Sequence, residues 1–143
     1  MIQLLSFAVA AVALFGFWKL TRYFWLKRYY RFQGVKDVEV SIAKLLHEGA
    51  GLPIIDVREQ SEYDDAHIQG VPLIPLGKLE VRAPELQQFK DRELLIICRG
   101  GVRSAKACLI LERLGFSKPL NIAGGMNDWK KHGLPYVPRS ASA

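Results

Sequence analysis

Along the chain, the hydrophobic pattern falls into two unlike parts. From Ile2 to Trp18 no residue is charged and only Gln3 and Ser6 are clearly polar. Seventeen such residues would make a helix of roughly 25 Å, within the range that a thin or locally adjusted bilayer tolerates. Leu20, Tyr23, Phe24 and Trp25 would extend it into the interface, with Lys19 and Arg22 snorkelling. No basic residue precedes this core, and bulky aromatics follow it, which argues against a cleaved signal peptide. The pattern therefore predicts a transmembrane helix over residues 1–20, a basic aromatic juxtamembrane linker over 21–36, a domain over 37–137 and a flexible tail over 138–143.

After Asp37, short apolar runs alternate with amphipathic stretches. Ser41 is a candidate N-cap for a helix through Ile42, Leu45 and Leu46 that Gly49 and Gly51 end. Pro53 to Val57 reads as a buried strand, with a second near Val71 to Ile74. A helix is expected from about Gly77 to Phe89, weakened by Pro84. The clearest strand is Glu93 to Cys98 (ELLIIC), followed by a glycine loop and a helix over Ser104 to Leu114. Pro119 to Ile122 reads as a strand and Gly125 to Lys131 as the last helix. Strands alternating with helices imply a mostly parallel sheet covered on both faces.

Charge sharpens this division. Of the net +6, the whole excess lies between Lys19 and Lys36, where six basic residues meet no acid. That position favours anionic headgroups over nucleic acid, and the positive-inside rule would put the domain on the cytoplasmic side of a single-pass protein. Two cysteines, Cys98 and Cys108, form neither a disulfide framework nor a metal-binding pair. No metal or organic cofactor is implied, because neither ligand spacing nor a dinucleotide fingerprint is present.

In such sheets ligands bind beyond the carboxyl ends of the strands. Cys98 stands there as candidate nucleophile, followed by Arg99, Gly100, Gly101, Val102, Arg103 and Ser104 as candidate substrate-binding residues. Two adjacent glycines let a loop curl so that its N–H groups point inward and join the next helix N-terminus. Positive partial charge favours a thiolate and would equally hold a persulfide anion. Arg99 and Arg103 can draw in a small anionic sulfur donor. Asp56 and Arg58, at another strand end, are expected to support the cradle. His67 reads as a turn anchor, Cys108 as a buried structural thiol and Trp129 as a core seal.

These pieces resemble the rhodanese-like family. The loop Cys98 to Ser104, the segment Ile55-Asp56-Val57-Arg58-Glu59 with Glu62-Tyr63, the turn His67-Ile68-Gln69-Gly70-Val71 with Ile74-Pro75-Leu76, and Gly124 to Trp129 match it in order over about Val38 to Tyr136. The resemblance implies a rhodanese-like α/β fold, a central parallel sheet with helices on both faces, here preceded by one transmembrane helix. It also implies transfer of sulfane sulfur from thiosulfate or a related donor, through a persulfide on Cys98, to cyanide, a thiol or a sulfur-carrier protein. Related phosphatases have a loop one residue longer; in this chain the arginine five positions after Cys98 fits the sulfur-handling length. The competing expectation is a membrane-tethered binding or sulfur-relay scaffold with little thiosulfate activity. Removing residues 1 to about 30 is expected to leave sulfur loading intact. Oligomeric state is left open.

Overall fold

The computed structural model describes the backbone of residues 2–139 and the side chains of residues 12–31 and 33–139. Its first element is a long helix, α1 (Ile2–Phe32). There follow β1 (Lys36–Val38), α2 (Val40–Ala50), β2 (Ile54–Asp56), α3 (Gln60–Asp65) and β3 (Ala66–His67). The second half holds α4 (Leu79–Arg82), β4 (Glu93–Ile97), α5 (Val102–Arg113), β5 (Lys118–Ile122), α6 (Gly125–Lys131) and β6 (Val137–Pro138).

Four strands make one parallel sheet in the order β1-β5-β4-β2. The uninterrupted apolar run of β4 is what a strand covered on both faces requires, since alternate side chains enter opposite cores. Leu94, Ile96 and Cys98 join the core beneath α5, with Ala105, Cys108 and Leu111. Leu95 and Ile97 enter the other core, with Val40 and Ala43 of α2 and Met126 and Trp129 of α6. The expected parallel sheet with helices on both faces is therefore present. Trp129 is buried in that second core and donates its indole N–H to the Pro135 carbonyl at 2.9 Å.

Several expected elements are corrected. Val71 to Ile74 is not a strand but touches β2 through one bridge between Asp56 and Leu73, because Pro72 has no N–H to give to a ladder. The helix expected over Gly77 to Phe89 is broken into short pieces, with α4 flanked by 3₁₀ turns over Leu76–Lys78 and Ala83–Phe89. Pro84 opens the second of these, where its missing N–H costs nothing. The tail is not free at Pro138: β6 pairs antiparallel with β3, and the Arg139 amide donates to the Asp65 carbonyl at 2.7 Å. Residues 140–143 lie outside the described residues.

The N-terminal expectation changes most. Among the described residues no helix is long and apolar enough to cross a membrane, which corrects the transmembrane span over 1–20. The membrane partner and the single-pass topology with a cytoplasmic domain fall with it. From Val12 onward α1 carries Lys19, Arg22, Lys27 and Arg28 within one 18-residue stretch, too many charges for a lipid-facing span. The side chains of residues 1–11, on which much of that expectation fell, lie outside the described residues. The stretch expected as a basic aromatic juxtamembrane linker, residues 21–36, is helical as far as Phe32, where α1 ends, and packs on the domain. Tyr30 lies against the α5-side core and Val35 is buried within it.

Two charged ties hold the strand ends and the neighbouring helix together. Arg58 and Asp56 are buried, at 3% and 1% exposure. Arg58 Nη2 lies 2.6 Å from Asp56 Oδ2 and donates also to the Ala66 carbonyl at 2.7 Å, while Nη1 donates to the Glu62 carbonyl at 2.9 Å. One guanidinium thus fastens β2, α3 and β3. From α3, the Glu62 carboxylate takes two hydrogen bonds from Arg103 at 2.6 and 2.7 Å. Those bonds are the first cause that lowers the Glu62 carboxyl to about 2 from an ordinary 4.5.

Replacing Arg58 by Met strands a buried carboxylate and is expected to cost about 3–5 kcal/mol in denaturant unfolding. The double replacement with Asp56→Asn should recover part of that loss, and equal losses for the two variants would contradict the pairing. The Glu62 tie predicts an acid-dependent term. Its carboxyl binds a proton less readily folded than unfolded, so the contribution is whole above about pH 4.5 and is lost as pH falls to about 2. The stability gap between wild type and Glu62→Gln should close over that window, and a gap that does not change with pH would exclude this role.

Candidate functional site

Cys98 follows the last residue of β4, and α5 begins four residues later. Its residue exposure is 1%, yet its sulfur is not buried among apolar groups alone. The Gly101 amide donates to Cys98 Sγ at 3.1 Å, and Ser104 Oγ lies 3.2 Å from it. Cys98 is also among the residues that line an open cavity of about 490 Å³.

The orientation of the loop follows from where its carbonyls go. The Cys98 carbonyl accepts from the Met126 amide at 2.8 Å and the Arg99 carbonyl from the Asn127 amide at 3.0 Å, so the start of α6 holds both. The Gly100 carbonyl accepts from the Tyr23 hydroxyl of α1 at 2.8 Å. In a trans peptide the N–H points opposite to the C=O. The three carbonyls therefore fix the directions of the amides of Arg99, Gly100 and Gly101, and the Gly101 amide reaches the sulfur. At the opening of α5, the amides of Val102, Arg103 and Ser104 have no backbone acceptor among the described residues.

Two glycines make this possible. Gly101 has φ +92°, a left-handed conformation that side chains disfavour, immediately before α5. At Gly125 an added Cβ would lie 2.2 Å from the Cys98 carbonyl oxygen and 2.9 Å from the carbonyl carbon of Arg99. The approach of α6 to the loop requires a residue without a side chain there.

The expected substrate-binding residues occupy one rim, but they are not equivalent. Arg103 is committed to Glu62, whose hydrogen bonds raise its pKa further. Arg99 is exposed and takes part in no ion pair among the described residues. Gly100, Gly101 and Val102 give the loop its backbone, and Ser104 is fully buried beneath the sulfur. Asp56 and Arg58 do not touch the loop. They bind each other and act on it at one remove, through the backbone of Glu62.

Sequence reasoning missed four residues. Glu62 holds Arg103. Asn121 accepts from Ser104 Oγ at 2.5 Å and donates to Asp37 Oδ1 at 2.7 Å, so a polar chain runs from Asp37 through Asn121 and Ser104 to the sulfur. One hydroxyl proton cannot serve both Asn121 and Cys98, and the shorter contact assigns it to Asn121. Tyr23, the fourth, reaches the loop from α1. Two signals were visible among them: Asn121 is polar within the apolar run Pro119 to Ile122, and Glu62 belongs to the Glu62-Tyr63 piece of the family pattern.

Two other candidates sit elsewhere. His67 stacks on Tyr63, with ring centroids 4.1 Å apart, and its Nδ1 meets the Tyr63 carbonyl at 3.0 Å. Cys108 is wholly buried on the core side of α5, and desolvation pushes its thiol well above the usual range. Among the described residues no cluster of His, Cys, Asp or Glu could hold a metal ion.

Comparison with known proteins agrees with this geometry. A family model described as the rhodanese-like domain matches residues 40–132. A putative sulfur carrier protein of Bacillus subtilis is 49% identical over 78 residues, covering 54% of this chain and 41% of that protein. The chain thus spans less than half the length of that relative. A sulfurtransferase of Allochromatium vinosum is 33% identical over 97 residues, covering 68% of this chain and 89% of its own. The crystal structure of a rhodanese-like domain protein from Staphylococcus aureus superposes with a TM-score of 0.57 at 33% identity, covering 66% of this chain and 91% of that one. With the model matching well over half of its length and a relative of that identity spanned almost end to end, this chain belongs to the rhodanese-like domain family.

Proposed function

We propose that the chain is a sulfurtransferase that carries sulfane sulfur as a persulfide on Cys98. The observation that carries the reading is the Gly101 amide held 3.1 Å from Sγ of Cys98, a residue that lines a cavity. A sulfur so placed can act as a nucleophile, and the same amides can accept the negative outer sulfur it acquires. The names of two relatives, a sulfurtransferase and a putative sulfur carrier protein, support the same reading.

In the first step the Cys98 thiolate attacks the outer sulfur of thiosulfate or a related donor. A new S–S bond forms, the donor's S–S bond breaks, and sulfite leaves with the electron pair. The outer sulfur of the persulfide then carries the charge and sits among the loop amides. In the second step an acceptor thiolate or cyanide attacks that sulfur, takes it away and returns the Cys98 thiolate. Arg99 is the rim cation suited to draw in the donor, because Arg103 is neutralised by Glu62.

Intact-mass measurement after thiosulfate treatment is expected to find one added sulfur, about 32 Da, on wild type and on Cys108→Ser, and none on Cys98→Ser. No adduct from any of several donors would end this reading. Removing the guanidinium of Arg99 by Arg99→Ala is expected to raise KM for thiosulfate about threefold, a binding loss of about 0.7 kcal/mol, while leaving the kcat of the loaded form nearly unchanged. An unchanged KM would remove Arg99 from donor capture.

A further inference from the structure

The family match begins at residue 40, so α1 lies outside it, yet α1 makes one wall of the cavity that holds Cys98. Trp18, Lys19, Arg22 and Tyr23 face Cys98 and Arg99 across a space of about 490 Å³. That volume is in the range of sites for organic ligands and far exceeds what thiosulfate or cyanide needs. The cavity thus has room for a larger second substrate, and its lining describes it.

Four cations line the cavity, and beside Arg103, which is tied to Glu62, stand Lys19, Arg22 and Arg99. None of the last three is in an ion pair among the described residues. Lys19 lies over the Phe15 ring, 4.4 Å from its centroid, and Arg22 over Trp18 at 5.3 Å. Stacking orders both side chains without consuming their charge. Between the cations, Trp18, Leu26 and Val102 supply apolar area. A ligand that complements this wall carries negative charge on a short carbon skeleton.

Tyr23 does something different. Its hydroxyl holds the Gly100 carbonyl at 2.8 Å, and the opposite end of that same peptide is the Gly101 N–H that meets the sulfur at 3.1 Å. Lys27 stacks over the Tyr23 ring at 4.9 Å and helps fix it.

Resting on the sulfurtransferase reading above, we propose that α1 is the acceptor-selecting wall of the site. Lys19 and Arg22 favour an anionic low-molecular-weight thiol over a neutral or cationic one, and Tyr23 is a positioning residue for the loop amide. The chemistry is the second step already written: the acceptor thiolate forms a bond to the outer sulfur, the Cys98 S–S bond breaks, and the acceptor leaves as its persulfide. The sequence separated this helix from the catalyst; the structure joins them.

The test uses the full chain, loaded with thiosulfate and discharged into glutathione, an anionic thiol, or cysteamine, a cationic one. Wild type is expected to show a lower KM for glutathione. In the double variant Lys19→Glu with Arg22→Glu, KM for glutathione should rise at least about tenfold and KM for cysteamine should fall, with kcat little changed. Tyr23→Phe keeps the ring and drops only the hydroxyl. It should lower kcat for both acceptors about tenfold, a barrier rise of about 1.4 kcal/mol, and leave the acceptor preference intact. Thermal melting of each variant at the wild-type temperature would assign these changes to the site rather than to folding. A double variant that loads normally and keeps the wild-type acceptor preference overturns the selecting role, and an unchanged kcat in Tyr23→Phe overturns the positioning role. A wild type that never gains the sulfur overturns the sulfurtransferase reading itself, and this inference with it.

Discussion

Everything at this site depends on the direction of three consecutive peptide planes. Between Cys98 and Gly101 each carbonyl is bonded away from the sulfur, to Met126, Asn127 and Tyr23 in turn. Planarity then fixes each amide opposite its carbonyl, and the last of them, of Gly101, meets the sulfur. The cradle is therefore built from outside, by groups that never touch the sulfur. Its geometry requires α6 to approach within bonding distance of the loop, which Gly125 allows by having no side chain to meet the Cys98 carbonyl. The parallel register of β4 beside β5 supplies that approach, since the loop after one strand and the helix after the other open at the same edge of the sheet.

The charges around this cradle divide into committed and uncommitted ones. Arg58 is buried and spends its donors on Asp56 and on the carbonyls of Glu62 and Ala66. Arg103 is spent on the Glu62 carboxylate. The two ties are connected, because Arg58 fixes the backbone of the residue whose side chain fixes Arg103. Such pairing gives rigidity and little long-range field. What field the rim presents to an arriving anion comes from the cations left over.

The sheet and the loop were legible because each is a local pattern. ELLII has no other reading beside a turn of glycines, and the loop from Cys98 to Ser104 carries its candidate nucleophile, its curvature and its helix start within seven residues. Where the reading failed, the deciding contact was distant or the local signal was ambiguous. Glu62 to Arg103 spans 41 positions, Tyr23 to Gly100 spans 77 and Asn121 to Asp37 spans 84. Tyr23 lies in a run of aromatic and basic residues that suits a bilayer interface and a stacked helix surface equally well. Proline misled at Pro72, which permits the apolar pattern of a strand while withholding the hydrogen bond that a ladder needs, whereas Pro84 marked the weak point near which the expected helix breaks.

A backbone cradle recognises a sulfur anion but cannot tell one carrier of that sulfur from another, because every amide N–H is the same donor. Discrimination between substrates must therefore come from side chains at the rim. On the family-matched part of the cavity wall, Arg103 is neutralised and Val102 carries no charge, which leaves Arg99. One exposed cation under solvent screening discriminates weakly. The added wall from α1 contributes two more cations and the apolar surface between them, and it does so without altering any group that orients the loop except through Tyr23. Under the proposed roles, selectivity and reactivity thus fall to different atoms of the same helix, one set facing the ligand and one hydroxyl facing the peptide.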